Sequence, residues 1–121
     1  MIVAGFGFRK AASLASLRAA LALAQKGHPP VTALATAHDK ASAVAPLAQA
    51  MNLPLIAVSS EALAGMPTQT RSPVSLAARN TGSVAEAAAL AAAGPNARLL
   101  SSRHISPDRM ATCAIAQGTT A

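Results

Sequence analysis

Apolar runs of strand length alternate along this chain with stretches of helical spacing. Residues 2–6 form a short β-prone run. Ser13 is placed to cap a helix reaching about Lys26, with Leu14, Leu17, Leu21 and Ala24 on one face. Lys26 suits the negative end of that helix, Gly27 stops it, and Pro29-Pro30 prevents its continuation. Residues 31–35 predict a second strand. Residues 41–51 predict a second helix, with Val44, Leu47 and Met51 along one side and Pro46 in or near its first turn, where proline costs least. A third strand over 53–58 leads into a short helix over 60–64, ended by Gly65 and Pro67.

The second half is richer in alanine. Residues 68–71 are irregular. Ser72-Pro73 opens a helix fading near Asn80, because proline is tolerated at the first helical position. Thr81-Gly82 breaks the chain, and an alanine-rich helix over 83–93 closes at Gly94-Pro95. Residues 98–101 and 112–117 read as two further strands around a polar loop over 102–110, and 118–121 as a frayed tail.

Strands alternating with helices predict an α/β fold: a three-layer α/β/α single domain over 1–121, with a mixed, mainly parallel sheet of about five strands. Helical connections make the first three strands parallel, and the loop between the last two makes them an antiparallel pair at one end.

Composition narrows the function classes. Hydrophobic residues make up 52% of the 121, which excludes a disordered chain. Trp and Tyr are absent and only two Phe occur, so base stacking on single-stranded nucleic acid is disfavoured. The net charge of +6 calls for an acidic partner, but the cations are scattered and form no basic tract. Nucleic acid and membrane are therefore not expected partners, and no apolar run reaches membrane-spanning length. A single cysteine, Cys113, allows no intramolecular disulfide and fits a reduced, cytoplasmic setting.

In a parallel sheet the carboxyl ends of the strands share one edge, and ligands bind there. The loops after the first three strands start at Gly5, Thr36 and Ser59, so that edge should collect Arg9, Lys10, Thr36, His38 and Lys40. Cations, a hydroxyl and an imidazole on one rim form a cradle for carboxylates or phosphate. Gly5 and Gly7 let the backbone approach a ligand. They lack the third glycine of the dinucleotide fingerprint, and no acid follows about 20 residues on, so a nicotinamide cofactor is not expected. No other cofactor is indicated, and the histidines and Cys113 have no metal-ligand spacing.

His38 beside Asp39 reads as a loop histidine, because adjacent residues seldom face one another; His28 reads as a surface residue. Ser83-Val84-Ala85-Glu86 matches a capping box at a helix N-terminus, which also attracts anions. Arg103 and His104 face either ligand or solvent. Cys113 lies in an apolar run and reads as core.

Four segments in register carry a resemblance. They are Gly5-Phe6-Gly7-Phe8-Arg9-Lys10, Ala35-Thr36-Ala37-His38-Asp39-Lys40, Gly82-Ser83-Val84-Ala85-Glu86-Ala87-Ala88-Ala89-Leu90 and Ala111-Thr112-Cys113-Ala114-Ile115-Ala116. Together they resemble the CobE / CbiG C-terminal domain family of cobalamin biosynthesis, over about residues 2–117. The family's first motif usually reads G-x-G-C-R with a further glycine after the basic pair. Phe8 and Ala11 stand at those positions here, so no thiol chemistry carries over to that loop. Arg103 stands where the family often has a lysine before the last strand.

The resemblance implies a corrin-precursor ligand, a tetrapyrrole rich in acetate and propionate carboxylates, and no resident cofactor. The substrate-binding set it implies, combined with the rim, is Gly5, Gly7, Arg9, Lys10, Thr36, His38, Lys40, Ser83, Glu86 and Arg103. CbiG carries further N-terminal regions and opens a precorrin lactone. This chain starts at Met1 directly on its first strand, so the resemblance points to the free-standing CobE type, which binds, carries or stabilises a precorrin. The alternatives are a lactone hydrolase, with His38, Glu86 or His104 as general base, and a module docking on another enzyme of the pathway.

Overall fold

The computed structural model describes residues 1–68, 71 and 83–118. Five strands form one sheet in the order β3-β2-β1-β5-β4. They are β1 (Ile2–Phe8), β2 (Ala33–Ala37), β3 (Leu55–Val58), β4 (Arg98–Ile105) and β5 (Ala111–Gln117). β1, β2 and β3 are parallel neighbours; β5 runs antiparallel to both β1 and β4. The sheet is thus mixed, as expected, with β1 at its centre.

Successive strand residues point to opposite faces, so each face acquires its own core. On one face Ile2, Ala4 and Phe6 meet Leu34, Cys113 and Ile115, covered by α1 (Leu14–Gln25) and α2 (Ala41–Met51). On the other face Val3, Ala33, Ala35 and Val58 pack under α3 (Ser60–Ala64) and α4 (Val84–Ala93). Alanine-rich α4 buries Ala85, Ala87, Ala88 and Ala89 completely. Side chains this small bring its axis close to the sheet.

The helix starts follow their caps. The Ser13 hydroxyl accepts from Ser16 N, and the Ser16 hydroxyl in turn accepts from Ser13 N. Ser59 and Ser83 cap α3 and α4 in the same manner, each through one hydroxyl acceptor. In α1, Leu17, Leu21 and Ala24 are buried, but Leu14 is 40% exposed: the buried stripe begins one turn later. Pro46 sits in the middle of α2 rather than its first turn, where it removes the hydrogen bond to the Ser42 carbonyl.

Several strand boundaries differ from expectation; β3, for one, begins at Leu55 rather than at residue 53. β1 continues to Phe8 because β5 pairs along its whole length, from Ile2 opposite Gln117 to Phe8 opposite Ala111. Gly5 and Gly7 are therefore strand residues, not a loop. β2 begins later and ends at Ala37, so Thr36 is also inside the sheet. β4 runs on through Ile105, turning much of the expected polar loop into strand; register shifts around Ser101 absorb the mismatch with β5. The helix expected over 72–80, the break at Thr81-Gly82 and residues 119–121 of the expected tail lie outside the described residues; Gly118, expected to fray with them, is buried and its N–H donates to Met1 O (2.9 Å). Among the described residues no helix is long and apolar enough to cross a membrane.

Cys113 is fully buried in the core, and burial pushes its thiol well above the ordinary range. A thiol held protonated in this way is a packing residue, not a nucleophile.

Candidate functional site

The carboxyl ends of β1, β2 and β3 define one edge of the sheet, at Phe8, Ala37 and Val58. The β4–β5 hairpin turns at the same edge, since Phe8 pairs with Ala111. α4 begins there too. Val84 Cβ and Ala85 N lie 3.3 and 3.5 Å from the position a Gly7 Cβ would take.

Beyond Phe8 the chain makes a tight turn over residues 9–12. Arg9 N donates to Met110 O (2.8 Å) and Ala12 N to Arg9 O (3.0 Å). The turn leaves Arg9 and Lys10 exposed, directly after the central strand. Beyond β2, a single 3-10 turn (His38–Lys40) places His38 in solvent. Lys40 folds back over β1: Nζ donates to Phe8 O (2.6 Å) and lies 4.8 Å from the centre of the Phe8 ring. Its charge stays at the edge, but one of its protons is committed to the wall.

Several expected ligand groups belong instead to the wall and floor of this edge. Thr36 is fully buried and its hydroxyl donates to Phe6 O (2.9 Å), cross-linking β1 and β2. Gly5 serves the close approach of α4: an added Cβ would stand 2.5 Å from Ala89 N and 2.9 Å from Ala89 Cβ. Gly7 is packed less tightly, against Thr112 Oγ1 and Val84. Ser83 is buried as the α4 cap, accepting from Glu86 N (3.3 Å). Glu86 is fully buried, and its Oε2 accepts Arg103 N (2.9 Å) from β4. The Ser83 half of the anticipated capping box is present, while the carboxylate ties helix to strand. Arg103 is half-buried within β4, not in a loop. His104 Nδ1 lies 2.9 Å from Ser102 O and 3.1 Å from Ser101 Oγ, a local arrangement on the same strand.

One participant was not singled out by sequence. Asp108, at the tip of the β4–β5 hairpin, accepts from Ser106 Oγ and Met110 N at Oδ1 and from Ser16 Oγ at Oδ2. The turn sequence Ser106-Pro107-Asp108 is the available signal, because Asp in a turn bonds the backbone two residues on. Its reach to Ser16, 92 positions away, has no local signature.

The Ser106 and Ser16 hydroxyls, in that order, with Met110 N, hold the Asp108 carboxyl below its ordinary value of 3.8. A carboxyl with a lowered folded pKa contributes stability above its unfolded value, lost as pH falls through the folded value. Urea midpoints are therefore expected to drop as pH falls below about 5, and Asp108→Asn to flatten part of that drop. An identical acid profile in the variant would contradict this.

An open depression of about 450 Å³ lies at the far end of the molecule, between the C-terminus of α2 and the start of β3, lined by Ala45, Gln49, Asn52 and Pro54 among others. Among the described residues no charged side chain lines it, and none of the candidate residues belongs to it. Among the described residues no group of three or more His, Cys, Asp or Glu side chains is arranged to hold a metal ion.

Comparison with known proteins bears on this arrangement. Residues 2–116 match the family described as Cobalamin synthesis G C-terminus. The chain is similar to the crystal structure of CobE, a protein from the cobalamin (vitamin B12) biosynthetic pathway: 29% identity, TM-score 0.88, covering 100% of this chain and 92% of that one. It is similar to cobalamin biosynthesis protein chiG from Agrobacterium tumefaciens str. C58: 34% identity, TM-score 0.75, covering 99% and 100%. A cobalamin biosynthesis protein G homolog from Sulfolobus solfataricus shares the fold at 22% identity and TM-score 0.75, covering 98% of this chain and 37% of that one. Comparison with curated protein sequences finds no match. With a family match running from the first residue of β1 almost to the end of β5, and a 34% identical structure covered end to end, the chain belongs to the CbiG C-terminal / CobE family of cobalamin biosynthesis.

Proposed function

We propose that this protein binds an anionic precorrin or corrinoid intermediate at the carboxyl edge of its sheet, and so carries or stabilises it in the cytoplasm. The observation that carries the reading is the exposed Arg9-Lys10 pair, fixed in a tight turn directly after the central strand β1. Carboxylates on the rim of a tetrapyrrole accept charge-assisted hydrogen bonds from such cations. Lys40 reinforces the potential from the wall, and His38 and Arg103 flank it. Gly7 keeps the wall low near the α4 N-terminus. The net charge of +6 favours encounter with a polyanion. Thr36, Ser83, Glu86 and Gly5 hold the shape of the edge in this reading.

Titration with hydrogenobyrinic acid, followed by the corrin absorption, tests it. A saturable spectral change is expected, weakened by added salt because exposed charges are screened. The Arg9→Ala/Lys10→Ala double variant is expected to weaken binding about tenfold, equivalent to roughly 1.4 kcal/mol. No spectral change at high micromolar ligand would count against the proposal. Of the three candidate bases for lactone hydrolysis, Glu86 is fully buried against β4, His104 is engaged with its own strand, and His38 stands exposed on the 3-10 turn after β2, so this reading draws on His38 alone.

A further inference from the structure

We infer that Asp108 is a positioning residue for anion binding, clamping both ends of the Arg9-Lys10 turn through one carboxylate. The inference rests on the ligand edge proposed above, and deepens it.

The turn over 9–12 has two anchors. At its start, Arg9 N donates to Met110 O (2.8 Å). Met110 is itself placed by its own N–H, which donates to Asp108 Oδ1 (3.1 Å). At its end, the chain passes into Ser13, whose N–H and hydroxyl engage Ser16 Oγ at 3.2 and 3.1 Å. That same Ser16 hydroxyl donates to Asp108 Oδ2 (2.5 Å). Ser106 Oγ donates to Asp108 Oδ1 (2.5 Å) and also accepts from Ala111 N (3.1 Å), which fixes the base of the hairpin. The two oxygens of one side chain therefore hold the hairpin on one side and the α1 cap on the other, with the cationic turn between them.

Local sequence alone would not keep such a turn. Residues 9–12 carry one internal backbone hydrogen bond, Ala12 N to Arg9 O, and the side chains of Arg9, Lys10 and Ala11 are exposed and add little packing. A short exposed turn of this kind samples many conformations, and each costs binding free energy when a ligand must select one. Charge-assisted hydrogen bonds to an ionised carboxylate are stronger than neutral ones. Three of them on Asp108 suit the task of holding the turn ready. Arg109, next to it, adopts a left-handed conformation (φ 62°), so the hairpin tip is held in a shape a relaxed chain would leave.

The test compares wild type, Asp108→Ala, Asp108→Asn and the core variant Leu47→Ala, each first shown to be folded. Affinity for hydrogenobyrinic acid is read by corrin absorption, and hydrogen exchange of the Arg9 amide by NMR. Asp108→Ala is expected to weaken binding on the order of fivefold and to speed Arg9 exchange about tenfold or more. Asp108→Asn, which keeps the shape and one acceptor oxygen, is expected to recover part of both. Leu47→Ala destabilises the fold from α2, away from the turn, and should leave affinity unchanged. Equal affinity in Asp108→Ala and wild type, with Arg9→Ala/Lys10→Ala still weakened, would overturn this inference alone. Failure of wild type itself to bind would overturn the proposed function, and this inference with it.

Discussion

Gly5→Ala is expected to destabilise the fold by about 3 kcal/mol or more, lowering Tm by roughly 10 °C or more. The backbone of Gly5 is ordinary strand, paired with Ala35 on one side and Ala114 on the other. What matters is the absence of a side chain. A methyl group there would press on the Ala85 carbonyl oxygen, and would sit 2.5 Å from Ala89 N and 2.9 Å from Ala89 Cβ. Two of those three neighbours are backbone of α4, which cannot rotate aside. Relief requires the whole helix to rise off the sheet, and Ala85, Ala87, Ala88 and Ala89, all fully buried, would then lose their contacts together. Gly7→Ala provides the comparison. Its nearest obstacle is the Thr112 hydroxyl at 3.0 Å, a side chain that can turn at the expense of its hydrogen bond to Gly7 O. That variant is expected to lose no more than about 1 kcal/mol. Thermal melts of both variants decide the matter: Gly5→Ala melting within a few degrees of wild type would mean that α4 does not lie as close to β1 as described.

The contrast between the two glycines shows what sequence could and could not convey. Local signals worked where the physics is local. Ser13 and Ser83 cap helices because a hydroxyl reaches a backbone N–H three residues on, and both positions were legible. The parallel order of β1, β2 and β3 followed from the helical connections between them. Gly5 lies where the expected strand over 2–6 meets the expected loop, and Gly7 within that loop, because glycine permits a tight turn; the pairing that carries the strand on to Phe8 comes from residues 111–117, far along the chain. Pairing with β5 across the hairpin, His104 opposite Cys113 and Ile105 opposite Thr112, drew residues 102–105 into β4. The site shows the same division. Arg9 and Lys10 stand at the carboxyl edge as the strand–turn–helix pattern implied. Lys40 was placed at the right edge, but its bond to the Phe8 carbonyl depends on how the 3-10 turn folds back across β1. Thr36 read as a loop hydroxyl and became a cross-strand tie once β2 extended past it.

Glu86 carries the other large expected effect. It is a carboxylate with no solvent exposure, in the first turn of α4. A buried charge is costly unless its surroundings supply hydrogen bonds and potential of the opposite sign. The helix N-terminus supplies the potential, and Arg103 N supplies a hydrogen bond of 2.9 Å. That bond falls in the irregular part of β4, between the register positions of Ser101 and His104, where the ladder with β5 is interrupted. The carboxylate thus serves a strand amide at the place where the sheet serves it least. Truncation by Glu86→Ala removes the acceptor, the favourable charge at the helix start and the methylenes that fill the space. The orphaned amide alone costs about 1–3 kcal/mol, and loss of the helix-terminus interaction adds roughly 0.3–1 kcal/mol, so about 3 kcal/mol in total is expected. Glu86→Gln keeps an oxygen able to accept from Arg103 N and sacrifices mainly the charge, so about 1 kcal/mol is expected. Urea denaturation at neutral pH measures both. A Glu86→Ala variant within about 0.5 kcal/mol of wild type, the range of ordinary surface substitutions, would show that β4 holds its shape without this tie. A Gln variant as damaged as the Ala variant would instead assign the effect to the negative charge at the α4 N-terminus, because the hydrogen-bond acceptor would still be in place.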